Sequence, residues 1–309
     1  MLEIFLKTLP FFALIGLGYL AVRLHFFTTE ATVWLTRFVF YFALSAMLFR
    51  FAADLSLAQV YDGRFVIAYL TGTAAVYLLT MTVAFLRGLK LAEAAIESHC
   101  AITGNVGFLG LPMMVLLLGP QAVGPNMLVL SLDLIVFGSL VVVLITASRE
   151  GRLSLRIVQT IGAGLLKNPM IVSILLGLGW AALETPLPRP ADEFLKLLAG
   201  AATPTALFVI GASLAEKSAE RPWIASWLSF AKLVLHPLAV AFSALWLFRV
   251  EPFAAGVMIV LAALPVAGNA FILAQHYRVA PQRVSAAILV STFVSVGTVA
   301  LIVALVQSR

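Results

Sequence analysis

Two stretches of this chain set glycine, asparagine and proline among apolar neighbours. One reads Thr103-Gly-Asn-Val-Gly-Phe-Leu-Gly-Leu-Pro112 and the other Leu264-Pro-Val-Ala-Gly-Asn-Ala-Phe271. Inside a helix each glycine costs about 1 kcal/mol and each proline about 3 kcal/mol against alanine. Proline also disfavours the α region for the residue before it, here Leu111. A regular helix is therefore not expected through either stretch. Where a helix restarts after such a break, its first N–H groups are free and carry partial positive charge, which suits an anion. The side-chain amides of Asn105 and Asn269 can donate and accept beside it. The candidate binding residues are Asn105, Asn269, Gly104, Gly107, Pro112, Pro265 and Gly268. The plainer alternative is that the glycines let helices pack closely and the asparagines cap kinks.

A second set of residues could move charge. Asp133, His99 and His236 lie within apolar segments, where ionisable side chains are expensive and default to functional candidates. Lys167 and Lys232 join them as coupling candidates, although both lie near helix starts and are also expected to snorkel, as are Arg37 and Arg50. Glu93 and Glu97 open a helix, where acids suit the N-terminal dipole. The chain has no His-Glu-x-x-His, no Walker loop and no Gly-x-Ser-x-Gly, so neither an enzyme nor a cofactor is expected. Its one cysteine, Cys100, excludes an intrachain disulfide and a multi-cysteine metal site.

The elements that carry these residues are apolar throughout. Of 309 residues, 62% are hydrophobic and 11% charged, against about 25% charged in a soluble domain. Ten apolar segments follow one another: 2–24, 31–52, 63–86, 92–118, 124–147, 156–182, 192–215, 222–248, 253–276 and 283–307. Continuous apolar runs, rather than short alternating ones, predict an all-α integral membrane protein of ten transmembrane helices. The first segment lacks a basic lead-in and a cleavage site and reads as a retained span. The net charge of +6 is scattered over short connections, which argues against a nucleic-acid partner. Arg23, Arg87, Lys90, Arg149, Arg152, Arg156, Lys217, Arg221, Arg278 and Arg283 fall on one set of connections. The smaller set is Lys7, Arg50, Arg64, Arg189, Lys196, Arg249 and Arg309. The richer set is expected in the cytoplasm, which puts both termini outside a bacterial inner membrane.

The halves 1–155 and 156–309 echo each other. Gly16-Leu-Gly-Tyr19 matches Gly177-Leu-Gly-Trp180, Leu48-Phe49 matches Leu207-Phe208, and Gly104-Asn105 matches Gly268-Asn269, all in one order. Five helices per half force the second half to insert upside down, which gives an inverted repeat. Matched breaks in such repeats point to a carrier's binding site.

These motifs are specific enough to carry a resemblance. Asn-x-Gly-Phe-Leu-Gly-Leu-Pro from Asn105 and Leu-Pro-x-x-x-Asn-x-Phe from Leu264 resemble the auxin efflux carrier family. So do Lys167-Asn-Pro169, Pro204-x-Ala-Leu-Phe208 with Gly211, and Lys232 to Pro237. The resemblance spans the whole chain and extends distantly to bile acid sodium symporters. It implies two inverted five-helix repeats with segments four and nine broken and crossing at the substrate. Segments 1, 2, 6 and 7 would form a scaffold, through which a homodimer could form. Segments 3–5 and 8–10 would form a transport domain that moves like an elevator. One departure stands out: Ser45 occupies a place in segment two where the family often has proline. The implied function is secondary transport of a small organic anion, auxin-like or dicarboxylate. A sodium-coupled symporter of the bile-acid type is the alternative within transport. A membrane sensor or an intramembrane enzyme is the alternative from another class.

Overall fold

Backbone groups in an apolar chain find partners most simply within helices, and the computed structural model is built from them. It describes residues 2–54, 62–150, 166–215 and 222–307, with Gln159 and Ala163. The boundary of the two halves at 155/156, the start of segment six, and Arg152, Arg156, Lys217, Arg221 and Arg309 lie outside the described residues. We number the helices α1 Leu2–Arg23, α2 Thr29–Ala53, α3 Gly63–Leu86, α4 Leu91–Ile102, α5 Val106–Leu118 and α6 Pro120–Arg149. They continue as α7 Pro169–Ala181, α8 Arg189–Ala215, α9 Pro222–Leu247, α10 Pro252–Ala262, α11 Gly268–His276 and α12 Pro281–Gln307.

Six of these, α2, α3, α6, α8, α9 and α12, are each long and apolar enough to cross a bilayer. Segments four and nine give no single long helix because each is interrupted, as α4–α5 and α10–α11. Small residues set the closest approaches between helices. α1 lies on α8 so tightly that a Cβ on Gly18 would collide with the Phe208 carbonyl, and one on Gly211 with the Ile15 carbonyl. α7 lies on α2 in the same manner: a Cβ on Gly177 would stand 2.5 Å from the Phe49 carbonyl oxygen. α3 closes on α9 at Gly72, where a Cβ would come within 2.8 Å of Val240 Cα. The Ser243 hydroxyl fastens the same pair by donating to the Ala68 carbonyl at 2.8 Å.

Several charged residues behave otherwise than their positions suggest. Glu97 is 2% exposed and does not simply face a helix dipole. It accepts from Arg87 at 2.7 Å and Arg283 at 3.0 Å, and Arg283 also reaches Glu93 at 2.9 Å. Two guanidiniums brought to the start of α4 supply a stronger partner than the dipole. Arg50 pairs with Asp192 at 2.7 Å rather than only snorkelling. Arg37 lies over the Trp34 ring, 4.7 Å from its centroid. At Ser45, α2 is widened rather than broken: residues Val39–Ala43 form a π turn, and the Ser45 hydroxyl donates to the Phe40 carbonyl at 2.9 Å.

Candidate functional site

The two interrupted segments meet at their breaks. The Asn105 N–H donates to the Pro265 carbonyl at 2.9 Å, and the Ala267 N–H donates to the Thr103 carbonyl at 3.0 Å. Gly104 and Val266 therefore face each other as an isolated antiparallel bridge. Unwound backbone inside hydrocarbon needs such partners. Val266 N–H, left over by the bridge, donates to the Ser291 hydroxyl of α12 at 3.1 Å. Gly104 is buried, and a Cβ there would sit 3.1 Å from the Leu261 carbonyl and 3.3 Å from Lys232 Nζ. Gly268 is different: it is exposed and a Cβ would meet nothing, so close packing does not require it.

The break in segment four is shorter than the glycines and proline suggest. Only Thr103–Asn105 leaves the helix, and Leu111 keeps α geometry at φ −56°, ψ −51°. A π turn over Val106–Gly110 hands the Leu111 N–H to the Val106 carbonyl, and Pro112 follows where its missing N–H does no harm. Gly107 and Pro112 thus belong to α5, and the neighbours of a Cβ on Gly107 would be Met170 and Leu130. Pro265 lies in the second break as expected.

Two helices begin at the crossing, α5 after Asn105 and α11 after Ala267, and neither has a side-chain cap. Asn105 is buried, and its side chain does not cap α5. Asn269 stands in the first turn of α11, and its Oδ1 is buried without a partner. Two helices also end here, α4 and α10. The last carbonyl of α10, that of Ala262, accepts from Lys232 Nζ. The crossing thus has a buried lysine amino group at a helix C-terminus and leaves its helix starts without side-chain caps.

Lys232 does not snorkel; it is fully buried, as is His236. Lys232 Nζ lies 3.1 Å from His236 Nδ1, and His236 Nε2 lies 3.1 Å from Thr73 Oγ1. Tyr69, one turn before Thr73, donates to Asp133 Oδ1 at 2.6 Å, and its ring lies 6.2 Å from the His236 ring. Asp133 and Lys232 form no direct ion pair; Tyr69, Thr73 and His236 lie between them. Asp133, Lys232 and His236 are therefore brought together next to the crossing. The other two coupling candidates are not. His99 bonds only to Thr103, one turn along, at 3.2 Å, and Lys167 stands exposed ahead of the Asn168 cap of α7.

Tyr69, Thr73 and Ser291 escaped the sequence reading, as did Asn126, whose two side-chain polar atoms are buried without partners. Helical spacing held some signal: Tyr69 and Thr73 are four apart, and Asn126 and Asp133 are seven apart, so each pair shares a face.

A family model described as a membrane transport protein matches residues 3–303. A protein of Rhizobium meliloti (strain 1021) that carries the name "Putative malonate transporter" is 32% identical over 311 residues. The match covers 100% of this chain and 97% of that relative.

Proposed function

The chain belongs to the membrane transport protein family, and from that premise we propose that it carries a small dicarboxylate of the malonate class through the crossing of its two broken segments. It is a multi-pass integral membrane transporter and not an enzyme. One observation carries the proposal. The antiparallel bridge between Gly104 and Val266 leaves two uncapped helix starts, those of α5 and α11, at one crossing. Such starts attract a carboxylate. The open space over exposed Gly268 marks the side from which a ligand would enter. The name of the relative supports a dicarboxylate over an aromatic acid.

In this reading the chain forms ten spans as two inverted five-helix repeats. The reciprocal packing of α1 on α8 and of α7 on α2 supports it, since both contacts use a glycine against the carbonyl of a matched phenylalanine. The contacts of Arg87 and Arg283 with Glu97, and of Arg149 with the Tyr277 carbonyl, support a common side for the basic connections. That side is the cytoplasm, with both termini outside. α1, α2, α7 and α8 are the scaffold, against which the remaining helices move like an elevator.

The test is counterflow of labelled malonate in proteoliposomes against a panel of monocarboxylates and dicarboxylates. Asn105→Ala and Asn269→Ala should each weaken malonate binding about ten- to a hundredfold, the effect of about 1–3 kcal/mol for a lost buried hydrogen-bond partner. Normal binding by both variants would remove the crossing from substrate recognition.

A further inference from the structure

A line of buried polar groups runs from α6 across α3 and α9 to the end of α10. It comprises Asp133, Tyr69, Thr73, His236, Lys232 and the Ala262 carbonyl. Its two ends differ. At the α10 end several carbonyl oxygens are engaged. Ala262 takes Lys232 Nζ, the Leu261 carbonyl takes the Leu264 N–H, and the Pro265 and Thr103 carbonyls take the bridge N–H groups. The end of a half-helix draws a positive or donating group, and the group there is the Lys232 amino nitrogen of α9. At the α6 end, Asp133 Oδ1 accepts from the Tyr69 hydroxyl, while Oδ2 has no partner in a side chain that is 3% exposed. Asp133 and Lys232 each lie in a π turn, Asp133–Phe137 and Ala231–Leu235, a feature frequent at functional sites.

A buried carboxylate oxygen without a donor calls for a proton or a cation. One proton on Oδ2 leaves the Tyr69 bond to Oδ1 in place. A hard metal ion instead asks for several oxygens at once, and Oδ1 and the Ala262 carbonyl already have donors. We propose that the coupling charge of this carrier is a proton taken up on Asp133 Oδ2, with the Lys232 amino group held at the Ala262 carbonyl. This rests on the anion-carrier reading and names its coupling ion. The step is proton exchange alone. A proton from water on one side bonds to Oδ2 and neutralises the carboxylate; on the other side that O–H bond breaks and the proton returns to water. Asp133 is faced by Tyr69 from α3 and by the charge of Lys232 from α9. Lys232 and His236 are faced by Thr73, the Tyr69 ring and the Ala262 carbonyl.

The test uses the full chain in liposomes, labelled malonate, and a pH-sensitive dye inside. Counterflow needs no gradient, so its absence with malonate and every other carboxylate of the panel overturns the carrier reading together with this one. With counterflow present, replacing sodium by N-methylglucamine should leave net uptake unchanged. An imposed proton gradient should accelerate it several-fold. Asp133→Asn should keep counterflow at a reduced rate and lose both the acceleration and the dye signal beyond the protons malonate itself carries. A sodium requirement, a wild type indifferent to the proton gradient, or an Asp133→Asn variant accelerated like the wild type would each overturn the proposal. Tyr69→Phe keeps the carboxyl and removes only its Oδ1 donor. It should move the pH midpoint of gradient-driven uptake, and an unchanged pH profile in that variant counts against Asp133 as the proton site.

Discussion

Glu97→Gln is the sharpest probe of how the end of the fold that carries Arg87 and Arg283 is held. The carboxylate is 2% exposed, and each of its oxygens accepts from a different guanidinium: Oε2 from Arg87 at 2.7 Å, Oε1 from Arg283 at 3.0 Å. Replacement by an amide leaves two facing cations with one negative charge removed. Breaking a buried pair from one side costs about 3–5 kcal/mol. Arg87 and Arg283 keep 29% and 16% of their side-chain surface in contact with solvent, so rehydration recovers part of that loss and about 2–3 kcal/mol remains. In a thermal scan of the purified protein this corresponds to a fall of roughly 3–5 °C in Tm for a chain of this length. Glu93→Gln is the control. Its side chain is 35% exposed, and its partner Arg283 keeps Glu97 when it is lost, so its effect should stay below about 1 kcal/mol. Equal shifts for the two variants, or none for Glu97→Gln, would refute the buried network as a source of stability.

Ser291→Ala should weaken malonate binding and lower Tm by the equivalent of about 1–3 kcal/mol, because the buried Val266 N–H loses its acceptor. Ser295→Ala, whose hydroxyl bonds only the Thr292 carbonyl of its own helix, should change binding little, and matched losses in the two variants would argue against a role for Ser291 at the crossing. In a Cys100→Ser background, Thr185→Cys should react with an impermeant maleimide added to intact cells, and Lys90→Cys should react only after the membrane is opened; the opposite pattern would invert the topology.

What could be read from residues alone follows the range of the interactions involved. The helices rest on local apolar runs, and the breaks on glycine and proline within a few positions, so both were visible. The length of the first break was not. Leu111 kept helical geometry because the π turn before it absorbs the defect that Pro112 brings, and that turn depends on packing against Leu264 and Leu261 at Gly110. Glu97 looked like a residue suited to a helix dipole because one of its partners, Arg283, lies 186 positions away and the other, Arg87, on the preceding helix end. Lys232 looked like a snorkelling residue because the Ala262 carbonyl that holds it belongs to another broken helix.

The crossing shows the same limit in its strongest form. Each break has unpaired backbone groups that its own segment cannot satisfy. Thr103 supplies the acceptor for Ala267, Pro265 the acceptor for Asn105, and Ser291, on a third element, the acceptor for Val266. Neither break is stable in hydrocarbon without the other. A segment with glycine and asparagine in mid-membrane is therefore half of a structure, and its meaning depends on a matching segment elsewhere in the chain. The pairing also decides the sign of the site. It engages the Thr103 and Pro265 carbonyls, Lys232 holds the Ala262 carbonyl, and the starts of α5 and α11 are left without side-chain caps. Helix starts left in this state suit a negatively charged ligand, which is what the proposed carboxylate site requires.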